Sequence, residues 1–167
     1  MTDNTSKIHF TNARLLAVQV LYAHVLGGED LNQLMSRALL GELGGHVLAE
    51  EGSREIPVDL PSADAGLMTR IVESYRTHAE AIDEGIRSGL SENIVFDRLD
   101  VTFLCILRAG MAELYVNTET DIAVIISEYV DMAGSFYEGA EIRIVNGVLD
   151  RFARLIRPAG SSHPAVS

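Results

Sequence analysis

The chain has 167 residues, of which 47% are hydrophobic and 22% charged, enough for one domain with a real core and too apolar for a disordered segment. Twenty-four acidic against 13 basic residues give a net charge of −11, which excludes indiscriminate nucleic-acid binding through overall charge and leaves only a local basic patch open. The one cysteine, Cys105 in "FLCIL", excludes an internal disulfide framework and is expected to be a buried, inert thiol.

Residues 1–10 are polar, and the pattern predicts a flexible N-terminus. From Asn12 the apolar residues Ala13, Leu16, Ala17, Val20, Leu21 and His24 share one helical face, and Gly27-Gly28 ends the helix. His24 is expected to pack in the core. Asp30 is placed to N-cap a second helix over 31–40 that buries Leu31, Leu34, Met35 and Ala38. Residues 41–63 carry most of the Gly and Pro punctuation and read as a long loop. A helical period resumes near Ala63, with Leu67, Ile71, Val72, Tyr75, Ile82 and Ile86 on one side; one long helix, or two with a bend near His78, would fit. A turn follows, with Ser91 to Asn93 as a capping segment.

The stretch from Leu99 to Val116 is apolar nearly all round, as expected of a central buried helix. Thr120-Asp121 opens another. Its run "IAVII" alone resembles a strand, but the full period sets Ile125, Ile126, Tyr129 and Ala133 on one face. The last helix holds "EIRIVNGVLDRFARL", and 159–167 have the composition of a disordered tail. The expectation is an all-α fold of six to seven helices, as a single domain over 11–158, with no strand and no internal repeat.

Chemistry is sparse. None of the five histidines (His9, His24, His46, His78, His163) stands at metal-ligand spacing from another donor. There is no nucleophile elbow, phosphate loop or dinucleotide fingerprint. Carboxylates fall on solvent faces. Neither enzyme activity nor a cofactor or metal is expected. No apolar run reaches membrane-spanning length and "MTDNTSKIHFTNAR" lacks the apolar core of a signal peptide, so a cytoplasmic protein without membrane partners is expected. What stands out is a locally basic last helix, with Arg143, Arg151, Arg154 and Arg157, and a weaker N-terminal group of Lys7 and Arg14. On spacing alone, arginines late in a helix are as well explained by the helix dipole and solubility.

Three segments, "ARLLAVQVLYAHVLGG", "RLDVTFLCILRAGMAELY" and "IISEYVDMAGSFYEGAEIRIVNGVLDRFARLIRP", resemble the NusB transcription antitermination factors in order and spacing. "VNGVLD" and "ILRAGMAEL" are the most specific elements. The resemblance implies an all-helical fold of two packed helical subdomains. It also implies a non-enzymatic function: binding the single-stranded boxA element of nascent ribosomal RNA together with the ribosomal protein NusE, within an RNA polymerase antitermination complex. A related domain precedes the catalytic domain of some ribosomal RNA cytosine methyltransferases, and no such domain follows here.

Carried over position by position, the resemblance implies RNA contacts at Lys7, Arg14, Tyr22, Arg143 and Ile144. A cation meets phosphate there, and an aromatic face stacks on an unpaired base. The chain departs from the family where Phe10-Thr11-Asn12 replaces consecutive arginines, where Ile144 replaces a phenylalanine, and where Ala140 replaces an acidic or polar residue. Losing cations removes phosphate contacts. On the NusE side, Asp97 keeps a carboxylate, but Phe103-Leu104 replaces a charged pair. Two readings of that pair follow: a more buried helix, or an exposed patch covered by NusE, a homodimer or a different partner. With a different partner, the chain would be a protein-interaction regulator that has lost boxA binding. Finally, Asn146 and Gly147 are poor helix formers inside a helix. They are expected to turn inward as a structural pair, Gly147 for close approach of a neighbouring helix and Asn146 as a hydrogen-bonded buried amide.

Overall fold

The computed structural model describes residues 2–43 and 63–158. The helices are α1 (Thr2–Gly27), α2 (Leu31–Leu39), α3 (Ala65–Gly89), α4 (Val101–Val116), α5 (Ile122–Gly134) and α6 (Ala140–Ile156), with a 3₁₀ turn at Phe96–Arg98 before α4. Aspartates set the starts. Asp30 accepts from the Asn32 and Gln33 backbone N–H groups at 2.9 and 3.3 Å, Asp64 from Leu67 at 2.8 Å and Asp100 from Phe103 at 3.2 Å. Each supplies an acceptor to a helix end whose own N–H groups have no intrahelical partner.

The fold places α4 at the centre, packed against α1, α3, α5 and α6. Its residues from Phe103 to Leu107 are all buried. Helices α1, α2 and α3 touch one another, as do α4, α5 and α6, and the two groups share one continuous core. Helix α3 is a single element with a bend: His78 has non-helical angles (φ −114°, ψ 20°). Its ring stacks on Tyr115 with centroids 4.2 Å apart, so the bend fits α3 around α4.

Close approach is carried by two glycines. A Cβ on Gly85 of α3 would lie 2.8 Å from the Phe152 ring, and one on Gly110 of α4 would lie 2.9 Å from Leu149 Cδ2. Both notches receive side chains of α6, which explains how the last helix is seated.

Several expectations are corrected. The first ten residues were expected to be flexible, yet α1 already begins at Thr2. Tertiary bonds hold this stretch where propensity does not: the His9 carbonyl accepts from Asp64 N–H at 3.0 Å, and Thr11 Oγ1 lies 3.0 Å from Glu128 Oε2. His24 is half-exposed, with Nδ1 2.6 Å from the Glu29 carbonyl beyond the helix end. Most of the expected 41–63 loop, with His46, lies outside the described residues, as do the 159–167 tail and His163. Among the described residues no group of His, Cys, Asp and Glu is arranged to hold a metal ion, and no helix is long and apolar enough to cross a membrane.

Candidate nucleic-acid interface

The two arginines expected to face RNA have opposite environments. Arg14 is 4% exposed. Its Nε donates to both carboxylate oxygens of Glu113 at 3.1 and 2.9 Å, and its Nη2 to Oε1 at 2.8 Å. Glu113, itself 0% exposed, also accepts from Asn117 Nδ2 at 2.9 Å and from the Tyr129 hydroxyl at 2.7 Å. Glu128 stands 3.7 Å from Arg14 Nη1.

The charge balance is legible in the titration behaviour. Burial acts to lower the Arg14 pKa, but the hydrogen bond and charge of Glu113 outweigh it and the net shift is upward. Tyr129 is raised well above the usual phenol range, first by burial and then by the Glu113 charge. This network ties α1 to α4 and α5. Arg14 is therefore corrected from an RNA-facing cation to a buried structural one: its fork is occupied by a carboxylate from 99 residues away.

Arg143, near the start of α6, is exposed and forms no ion pair with any described residue. Asn146 and Gly147 follow on the exposed side, and a Cβ on Gly147 would meet nothing within 4 Å. The expectation of an inward-facing structural pair is thus overturned. The buried face of α6 is Val145, Val148, Leu149, Phe152 and Ala153, and Gly147 lies across the helix from it. Arg151 and Arg154 extend the exposed face by two more turns, Arg154 sharing its charge with Asp150 at 2.8 Å. Arg157 does not belong to this face. Its Nη2 donates to the carbonyls of Leu114 and Asn117 at 2.5 and 2.9 Å, where a cation suits the C-terminal end of α4. Ile144 is half-buried against the core, Tyr22 likewise, and Lys7 is exposed.

On the expected partner side, Asp97 is exposed in the 3₁₀ turn. Phe103 and Leu104 are corrected: they are 4% and 9% exposed and belong to the core. The Tyr137 ring meets Phe103 edge-on at 5.6 Å, and its hydroxyl donates to Asp100 Oδ1 at 2.5 Å. Burial and the Asp100 carboxylate push that hydroxyl's pKa up. The turn between α5 and α6 therefore covers Phe103 within the monomer, and the pair offers no surface to NusE, a second copy or any other partner.

Two features escaped the sequence pattern. Gln19, on the turn of α1 before Tyr22, is 6% exposed and neither amide atom has a hydrogen-bond partner among the described residues. Its polarity on a mostly apolar face was the available signal. Phe10 is 41% exposed and forms one wall of a cleft of about 210 Å³ between α1, the start of α3 and the turn from α4 to α5.

Comparison with known proteins bears on what this surface serves. The NusB family model matches residues 11–154. The transcription antitermination protein NusB of Mesorhizobium japonicum is 38% identical over 153 residues, covering 92% of this chain and 94% of its own. That of Rhodospirillum rubrum is 36% identical over 160 residues, covering 91% and 86%. Among solved structures, NusB of T. maritima superposes with a TM-score of 0.64 at 23% identity, covering 86% of this chain and 89% of its own. A structure of antitermination factors NusB and NusE in complex with double-stranded RNA gives 0.64 at 23% identity, covering 87% and 96%.

Proposed function

The chain belongs to the NusB family, and from that premise we propose that it is a transcription antitermination factor binding boxA-type single-stranded RNA of nascent ribosomal transcripts together with NusE. The pair would act within an RNA polymerase antitermination complex. The observation that carries the RNA-binding part is the outer face of α6. Asn146 and Gly147 each weaken a helix, Gly by about 1 kcal/mol relative to Ala, and neither gains packing in return. Residues of that kind beside an exposed Arg143, which pairs with no described residue, suit a surface kept for a ligand whose backbone is anionic. Gly147 lets that ligand approach the helix closely, Asn146 offers donors and an acceptor to base edges, and Arg143 meets phosphate.

Lys7 offers an exposed cation on α1, and half-buried Tyr22 an aromatic edge about four turns along the same helix. Arg14 supports the surface from beneath by holding α1 on α4. With net charge −11, NusE supplies much of the positive charge in the assembled complex. Affinity for RNA alone is therefore expected to be weak and to fall steeply with salt.

A gel-shift titration with a boxA oligonucleotide, with and without NusE, at two salt concentrations, tests this. A shift at low salt that strengthens with NusE is expected. No shift with NusE at low salt would contradict it.

A further inference from the structure

The cleft beside Phe10 lies between α1, the start of α3 and the turn from α4 to α5. Phe10 forms one wall, 41% exposed. Buried Leu67 extends the apolar part of the lining. Asp64 and Glu119 bring two carboxylates, against which Arg70 is the one exposed cation. Arg14, also in the lining, is already neutralised by Glu113. Arg70 spends one N–H on the Val116 carbonyl at 2.7 Å, which fixes its guanidinium at the rim with donors to spare.

This balance disfavours a phosphate, which two carboxylates would repel. It favours a neutral, flat group carrying an N–H donor. One side of the cleft is anchored: Asp64 is held by its bonds to Leu67 N–H and, through its own N–H, to the His9 carbonyl. Phe10 sits three residues after Lys7, hence beside it on the surface of α1.

We propose that this cleft is a base-binding subsite: an unpaired nucleobase bearing an exocyclic amine, adenine or cytosine, stacks on Phe10 and donates to the Asp64 or Glu119 carboxylate. Acidic side chains accept from such amines, and aromatic faces hold unpaired bases. The subsite rests on the RNA-binding function proposed above.

The test is a fluorescence-anisotropy titration of the full chain with NusE and a boxA-containing single-stranded RNA. Wild type is compared with Phe10→Leu and Arg143→Glu. Single RNA positions are also changed from adenosine to purine riboside or from cytidine to uridine, removing one amine at a time. Phe10→Leu is expected to weaken RNA binding about 5- to 100-fold, with thermal stability unchanged because the ring is exposed. One RNA position is expected to lose affinity on removal of its amine in wild type but not in Phe10→Leu. If Phe10→Leu binds RNA as wild type does while Arg143→Glu does not, the subsite is wrong and the function stands. If Phe10→Leu weakens NusE binding and leaves RNA binding intact, the cleft is a protein contact and the subsite is overturned. If wild type binds no RNA even with NusE, both proposals fail.

Discussion

Gly110 and Gly147 each interrupt an otherwise good helix, and in the sequence they look alike. In the fold they are opposites. Gly110 lies on the seam where α4 receives Leu149, with no room for a Cβ, whereas Gly147 lies on the outer face of α6 with open space above it. Arg14 and Arg143 repeat the contrast, one enclosed with Glu113 and the other exposed. The seam spends its unusual residues on holding helices together. The outer face keeps unusual residues that hold nothing, and those are the ones available to a partner.

The difference can be broken most severely at the seam. Glu113→Ala leaves Arg14 buried without its carboxylate, and such a loss costs about 3–5 kcal/mol. Urea unfolding should show the drop; a change below about 1 kcal/mol would mean that the network is not structural. Gly110→Ala forces a methyl against Leu149 and should destabilise by about 1–3 kcal/mol through overpacking, read as a lower urea midpoint at constant m-value.

Cys105 probes whether the seam is closed to water. Burial pushes its thiol up to about 12, from about 9 for an exposed thiol. Between those values the unfolded chain has released the proton and the folded chain has not, so the stabilisation is complete below pH 9 and is lost as pH rises toward 12. The loss should amount to about 1 kcal/mol between pH 9 and 10. In parallel, a thiol reagent at pH 8 should label the native chain far more slowly than the urea-unfolded one, and equal rates would contradict burial.

The smallest effect has the opposite sign. Gly147→Ala should stabilise the chain by about 0.5–1 kcal/mol, since the new methyl clashes with nothing and helix propensity improves. A destabilisation would show that Gly147 is packed after all.

Much of the fold was legible because helical periodicity and capping are local. Asp30 at the head of α2 and the enclosed α4 follow from residues within one or two turns, whereas the choice between a straight α3 and one bent at His78 is made by Tyr115 of α4. The partners of surface-like residues are not local. Arg14 reads as a cation near a chain end, and nothing within its own helix reveals that Glu113 awaits it on α4. Tyr137 closes over Phe103 from another helix junction, so of the two readings of that pair the more buried helix is the one the fold adopts. Asn146 was misassigned for a subtler reason. An inward face drawn through Ile142, Val145 and Leu149 takes in Asn146, but Ile142 is only half-buried and pulls that face round by part of a turn. Val145, Val148 and Phe152 set the true centre, and Asn146 and Gly147 then turn outward. At the candidate site, Arg143 enters only through the resemblance, while the Phe10 cleft depends on three segments brought together only by folding.

The outer face of α6 as the place where RNA phosphate is met can be tested through salt. The logarithm of RNA affinity, measured with NusE present over a series of salt concentrations, should fall linearly for wild type and less steeply for Arg143→Ala, by about 0.7 in slope for one lost phosphate contact on a single strand. The melting temperature of the variant should match wild type, because Arg143 is exposed and pairs with no described residue. A slope and affinity identical to wild type would contradict the assignment of this face to RNA.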